Sequence, residues 1–348
     1  MNLIFALETS CDETSTSIIS PEGKILSHII VKQSDHEKFG GVVPEIASRS
    51  HIQILQKIIP QTLFEAGMEI SSINAFCSTC GPGLIGGLLV GSTVAKTMAI
   101  ANNKPFYPIN HLEGHALSVQ INKKIDFPFL LLLITGGHTQ IYYVHKIGSY
   151  KLLGTTIDDS VGETFDKVAK MLGMKYPGGP EIEKRAIQGN EKKIQFPKPL
   201  IKNNDFNFSF SGLKTAVRLK IIKEKNKNNS FTNDVCASFQ NTVIEILLRK
   251  TEMAIEYVNE NFPKINNLVV AGGVAANMQI NKSFISLCKK HSLKLAMPPK
   301  ELCGDNAAMI GWACLQRFNL GYKGDINFKP RPRWGLEELN DEILVNKI

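Results

Sequence analysis

The chain has 348 residues, 43% hydrophobic and 21% charged, which suits a folded protein with two apolar cores and excludes a disordered or fibrous one. Its seven cysteines are odd in number and scattered, so a disulfide framework is excluded and a reducing compartment is expected; the lone Cys77-x-x-Cys80 lacks the second pair that a zinc site calls for. The formal net charge is +8, and between Ile182 and Lys227 twelve Lys/Arg stand against four Asp/Glu, a pattern that suits either a polyanion such as RNA or a solvated, Lys-rich surface.

Met1 to Glu8 runs straight into an apolar strand with no basic leader, and the apolar runs Phe129 to Ile134 and Leu84 to Val94 are too short or too glycine-broken to span a bilayer. A soluble, cytoplasmic chain is expected. Asn2 to Leu7 reads as a buried strand, followed by the polar turn 9–14, a strand over Ser15 to Ile19, the turn Pro21-Glu22-Gly23 and a third strand over Ile25 to Val31. Helical spacing of Ile46, Ile52, Leu55, Ile59 and Leu63 predicts a helix over Pro44 to Ala66. Ala75 to Cys80 predicts a strand entering a glycine-dense turn, 81–87, and Leu88 to Ala101 a helix.

The opening pattern recurs mid-chain: a strand (Phe129 to Ile134), a glycine turn (Thr135 to His138) and a strand (Gln140 to His145). Two such units predict a duplicated two-lobed α/β fold with ligands at the hairpin tips, in a cleft. The segment 162–227 reads as a helical, basic insertion. Asn267 to Ala271 predicts a strand entering Gly272-Gly273, and Asp305 to Phe318 a closing helix. The stretch Lys329 to Trp334 is basic and stiffened by proline, and the last dozen residues carry no signal.

Among chemistry-bearing residues, His111 and His115 are spaced i, i+4, which on a helix puts both imidazoles on one face within reach of one divalent cation. This is not H-E-x-x-H: Glu113 falls on another face. Asp305 opens a predicted helix and reads equally as a third ligand or an N-cap. Glycine turns after three strands, 81–87, 136–137 and 272–273, offer backbone N–H groups to a phosphate, without the lysine of a P-loop. Asp12 and Glu13 form an acidic pair at the first hairpin tip, suited to orienting water or accepting a proton, or to an ordinary turn. Asp158, Asp159 and Asp166 lie near the start of a helix over Val161 to Leu172, where acids also cap. His138 reads as a phosphate contact or a turn histidine. Phe206, Phe208 and Phe210 alternate beside basic residues, as base-stacking rings or as strand packing.

Taken together, ETSCDET (8–14), GGVVPEIASRSH (40–51), GPGLIGGLLVG (81–91), NHLEGHALS (110–118), LITGGHTQI (133–141), DDSVGETFDKVAKMLG (158–173), YPGGPEIE (176–183), FSFSGLKTAV (208–217), AGGVAANMQ (271–279) and GDNAAMIG (304–311) make the chain resemble the tRNA adenosine threonylcarbamoyltransferase family (TsaD type), once described as O-sialoglycoprotein endopeptidases. The matching stretches run in order from residue 8 to about 334.

The resemblance implies an α/β, actin/hexokinase-like (ASKHA, duplicated RNase H-like) fold, with 1–120 and the helix 305–334 as one lobe, 121–304 as the other, and 335–348 as a tail. It implies transfer of the threonylcarbamoyl group from threonylcarbamoyl-AMP to the exocyclic amine of the adenosine 3′ of the anticodon, in tRNAs reading codons that begin with A. Family metal ligands match His111, His115 and Asp305, for Fe2+ or Zn2+. Adenylate-binding positions match Ile134, Thr135, Gly136, Gly137, His138, Asp166, Gly179, Glu183 and Asn277; Glu183 stands where Asp is usual and Thr135 where Ser is usual. Asp12 and Glu13 match an acidic pair tied to catalysis. Implied partners are the tRNA anticodon stem-loop, a dimerising paralogue (TsaB type) and a small P-loop ATPase (TsaE type), with no membrane. Readings as a metallopeptidase, an ASKHA kinase and an RNA-binding scaffold compete with it.

Overall fold

The structure is a computed structural model that describes residues 2–33, 36, 41–121, 123–226 and 228–340. Gly40 of the second motif, Lys227 at the end of the basic segment and 341–348 of the expected tail lie outside the described residues. Two compact units emerge. The first takes the described residues of Met1–Lys124, Lys146–Tyr150 and Gly304–Ile348, the second those of Ile125–His145 and Lys151–Cys303.

In the first unit, β1 (Ile4–Glu8), β2 (Glu13–Ile19) and β3 (Ile25–Lys32) form an antiparallel meander, and β4 (Ala75–Gly81) and β5 (Phe106–Asn110) add in parallel, in the order β3-β2-β1-β4-β5. Ile4 pairs with Ile19 on one side and Ala75 on the other, and every β1 residue is buried, as expected of a central strand covered on both faces. The helices of this unit are α1 (Pro44–Ala66), α2 (Ile85–Ala101), α3 (His111–Ser118) and, from the far end of the chain, α9 (Ala307–Asn319). The remaining helices, α4 to α8, belong to the second unit.

That unit repeats the plan. β6 (Phe129–Ile134) pairs antiparallel with β7 (Thr139–Lys146) and parallel with β9 (Asn267–Ala271), and β10 (Lys294–Ala296) runs parallel to β9; with β8 (Ser149–Thr155) the order is β10-β9-β6-β7-β8. Read from its central strand outwards, each sheet has its hairpin on one side and its parallel strands on the other, so the duplicated α/β plan holds. The helices here are α4 (Val161–Met171), α5 (Gly178–Ala186), α6 (Ser211–Lys223), α7 (Asn229–Asn261) and α8 (Met278–Lys290). Val235, Phe239, Val243, Leu247, Ala254 and Val258 recur along one buried stripe of α7 and join β6, α4 and α8 in one core.

Several boundaries differ from the sequence expectation. β2 begins at Glu13, so Glu13 is the first strand residue rather than part of the tip. α2 begins at Ile85 and takes in Gly86 and Gly87. α9 runs Ala307–Asn319 because Asn306, not Asp305, is its N-cap, with Oδ1 accepting from Met309 N at 2.9 Å. The Phe trio is not a base-stacking platform: Phe208 and Phe210 are fully buried with rings 6.2 Å apart, and Phe206 packs on Tyr257 at 5.2 Å.

Candidate functional site

In the first unit α3 is eight residues long and wholly buried. It starts where it does because Asn110, at the end of β5, accepts from Leu112 N and Glu113 N and donates from Nδ2 to Trp334 O. The i, i+4 spacing then turns both imidazoles to one side, with ring centroids 4.8 Å apart and planes at 89°. Gly114 lies between them, and a Cβ there would meet Ile310 Cδ1 at 2.9 Å and Met309 Cγ at 3.2 Å. The glycine is what lets α3 approach α9 closely enough to bring the two histidines to Asp305.

His115 Nε2 is 3.1 Å and His111 Nε2 3.4 Å from Asp305 Oδ1, and one donor atom from each of the three lies within 4.8 Å of the others. Two ligands bound at about 2.1 Å to one cation, subtending about 90–110°, stand about 3.0–3.4 Å apart. The observed spacings match that separation, and two imidazole nitrogens with a carboxylate oxygen suit Fe2+ or Zn2+. His115 Nδ1 is a buried atom with no hydrogen-bond partner, which leaves Nε2 as the nitrogen this ring engages. The capping alternative for Asp305 is removed, since Asn306 does that work.

Electrostatics follow from the crowding. Burial pushes the Asp305 carboxyl up, yet the adjacent His111 charge and the hydrogen bonds from both rings hold it well below the usual carboxylate range. Burial likewise opposes charge on His111, but Asp305 and Glu8 flank it and raise it well above the usual imidazole value. His115 falls below that value: burial and the neighbouring His111 charge outweigh its hydrogen bond to Asp305.

Glu8 is a participant that the sequence reading passed over. It is fully buried at the end of β1, with His111 Nδ1 3.1 Å from its Oε2. A carboxylate closing an otherwise apolar strand was the available signal. Glu113 is turned elsewhere, accepting from Tyr150 OH at 2.8 Å and Arg317 Nε at 2.6 Å, so it is not a base beside the pair.

Asp12 and Glu13 follow at the β1–β2 turn. Burial, with Asp305 and Asp12 as like-charged neighbours, lifts the Glu13 carboxyl well above its usual value, and Lys32 at 3.8 Å only partly offsets this. The turn is held by His51, which donates from Nε2 to Cys11 O at 3.0 Å while its Nδ1 meets Thr14 Oγ1 at 2.8 Å. The sequence reading had no role for His51.

In the second unit the sites are mostly backbone. Thr135 N donates to His138 O, and Thr135 Oγ1 accepts from Gly137 N and His138 N, closing the 134–138 turn. Gly136 and Gly137 are exposed, and an added Cβ would meet nothing within 4 Å at either. Gly272, after β9, has φ +100 and packs against Ile134 O, a conformation and a closeness that exclude a side chain. Asp166 accepts from Gly178 N at 2.7 Å, fixing the start of α5 beside Gly179. Glu183 accepts from Met278 N at 2.7 Å, and Asn277 caps α8 while donating to Gln240. Hydrogen bonds and close packing thus join the 134–138 turn to Gly272, Asp166 to the start of α5, and Glu183 to the Asn277 cap.

Asp158 and Asp159 do not cap α4, which Ser160 does. Asp158 accepts from Ser209, Phe210 and Ser211, and Asp159 pairs with Lys167 and Lys214. The basic segment is largely exposed, including Lys184, Lys192, Lys193, Lys202, Arg218, Lys223 and Lys225. A second acidic group, Glu252, Glu256 and His291, already holds the Lys290 ammonium at 2.7 Å. Among the described residues no helix is long and apolar enough to cross a membrane.

Comparison with solved structures gives the fold. HypF from T. kodakarensis matches with a TM-score of 0.62 over 92% of this chain and 48% of that one, at 14% identity. The (R)-2-hydroxyglutaryl-CoA dehydratase component A of Acidaminococcus fermentans matches with a TM-score of 0.52 over 91% and 100%, at 13% identity. Both likenesses agree with the ASKHA-type architecture.

At the sequence level, the family model for tRNA N6-adenosine threonylcarbamoyltransferase matches residues 24–312. A Rickettsia rickettsii (strain Sheila Smith) protein of that name is 50% identical over 97% of this chain and 99% of its own length. One from Methylocapsa acidiphila is 44% identical over 96% of each. With these motifs on this fold, the chain belongs to the tRNA N6-adenosine threonylcarbamoyltransferase family.

Proposed function

We propose that the chain transfers threonylcarbamoyl from threonylcarbamoyl-AMP to the exocyclic amine of the adenosine 3′ of the anticodon, in tRNAs that read codons beginning with A, with release of AMP. The observation that carries this reading is the convergence of His111, His115 and Asp305 at ligand spacing. A divalent cation held there, Fe2+ or alternatively Zn2+, supplies Lewis acidity to the carbamoyl carbonyl when bound.

Residues 134–138, Asp166, Gly179, Glu183 and Asn277 bind the adenylate. The Gly136 N–H and the bare glycine backbone of the turn let the phosphate approach closely, and the carboxylates take ribose hydroxyls. Glu13, or Asp12 beside it, accepts the proton as the amine attacks the carbamoyl carbon and the adenylate departs; the lifted Glu13 carboxyl supports a proton-holding role. The exposed lysines of 182–226, with Arg218, bind the tRNA phosphates around the anticodon loop, whose target base leaves its stack to react. A dimerising paralogue, a small P-loop ATPase and a cytoplasmic location complete the reading.

The test is incubation with tRNA and threonylcarbamoyl-AMP, with the partner proteins and with or without added Fe2+ or Zn2+, followed by nucleoside mass analysis. The modified adenosine is expected only with the intact trio. Peptide cleavage with no modified nucleoside would favour the peptidase instead.

A further inference from the structure

We infer that Glu8 is a positioning residue for the cation site: it fixes the Nδ1–H tautomer of His111 and so presents Nε2 as the donor beside Asp305. The inference rests on the reading of His111, His115 and Asp305 as cation ligands.

The geometry around Glu8 allows little else. Its Oε1 accepts from Ser10 N, and its Oε2 accepts from Thr79 Oγ1 and from His111 Nδ1 at 3.1 Å. An ionised carboxylate only accepts, so the nitrogen facing it carries the proton. With Nδ1–H committed to Glu8, the nitrogen that can give up its proton to a cation is Nε2, the atom 3.4 Å from Asp305. Ser10 Oγ, 3.2 Å from the same Nδ1, adds a second polar contact on that side of the ring. A carboxylate behind a ligating imidazole raises its basicity and holds its plane.

Glu8 itself cannot drift. It closes β1, pairs with Ser15 of β2, and receives the hydroxyl of Thr79 from β4. Ser15 in turn accepts from Ala307 N at 3.0 Å, two residues beyond Asp305. One rung of the sheet therefore braces both sides of the trio: Glu8 holds His111, and its partner Ser15 holds the loop that carries Asp305. His115 has no such brace, its Nδ1 being buried without a partner. The two histidines are thus unequal, and the burden of orientation falls on the first.

The experiment titrates metal-free full-length protein with Co2+, following its visible absorption bands, and separately records 15N NMR of the Zn2+-loaded wild type. Wild type is expected to take up one cation with a proton on His111 Nδ1 and a metal-shifted Nε2. Glu8→Gln is expected to weaken Co2+ binding roughly 10–100-fold, with Glu8→Asp in between and Thr79→Val, which leaves the Glu8–His111 contact in place, within about threefold.

Glu8→Gln binding Co2+ as tightly as wild type would overturn the positioning role alone, as would NMR showing Zn2+ on Nδ1. The NMR arm needs no variant, so it decides the matter even where Glu8→Gln does not fold. Wild type that binds no cation would sink the metal reading itself, a different result from tight binding in both proteins.

Discussion

In the first unit the β1–β2 hairpin and its neighbours deliver side chains: Glu8, Glu13, two histidines and Asp305, all wholly or largely buried and pulling on one another's charge. In the second, the corresponding β6–β7 hairpin ends in a turn whose exposed surface is glycine backbone. The same sheet plan thus carries two kinds of candidate site. One is sensitive to a change of charge, the other to a change of volume. The contrast also predicts which perturbation each unit resists.

Four measurements would sharpen the contrast or break it. Removing a ligand should have the largest effect. Asp305→Ala is expected to weaken cation binding more than about 100-fold, beyond what loss of a supporting group does, and to abolish modified nucleoside, while adenylate binding by the second unit survives; metal content after dialysis and calorimetry with AMP read the two separately. Gly272→Ala should destabilise by about 2–4 kcal/mol, from a left-handed backbone and a clash with Ile134 O. Urea unfolding checks it, and an unchanged midpoint would refute the packing described.

Gly137→Ala should leave stability within about 0.5 kcal/mol because the space is open. It should weaken adenylate binding roughly tenfold if ligand comes up against that backbone. Equal losses at Gly272 and Gly137 would erase the distinction between structural and binding glycines.

The last effect acts on stability alone and concerns acid. Five of the eight histidines lie in the first unit, and burial pushes His28 down to about 4 from 6.5. The folded state therefore takes up that proton at lower pH than the unfolded chain. Stability from His28 is present above pH 6.5 and is lost as pH falls towards 4. The loss should be on the order of 2 kcal/mol, allowing for partial exposure. His28→Gln should flatten the urea midpoint against pH over that window; identical slopes would contradict it.

Much of this was legible in the sequence because it obeys local rules. Spacing puts His111 and His115 together, short apolar runs broken by polar turns mark the hairpins, and glycine after a strand marks the turns. What was missed obeys tertiary rules. α7 hides its period because polar residues sit on its buried face: Lys250 is fully buried, donating to Asn203 O at 3.1 Å and Asp205 O at 2.7 Å. Glu8 falls just past the strand expected over Asn2 to Leu7 and shows no role locally, since its partners Thr79 and His111 lie 71 and 103 residues away. The choice between ligand and cap for Asp305 turned on whether Asn306 would take the cap. The Phe208 and Phe210 rings went to the core because α6 and α7 left room for them there.

His115 and Asp305 are separated by 190 residues, and the whole second unit lies in that interval. A ribosome therefore releases all five strands of the N-terminal sheet, and both imidazoles, long before the helix that seats against them. The later-encoded unit, uninterrupted but for a five-residue excursion, is finished while the earlier one still waits for its last piece. Folding order should thus run against chain order, and the corner where His111, His115 and Asp305 meet should be the last part of the newborn protein to close.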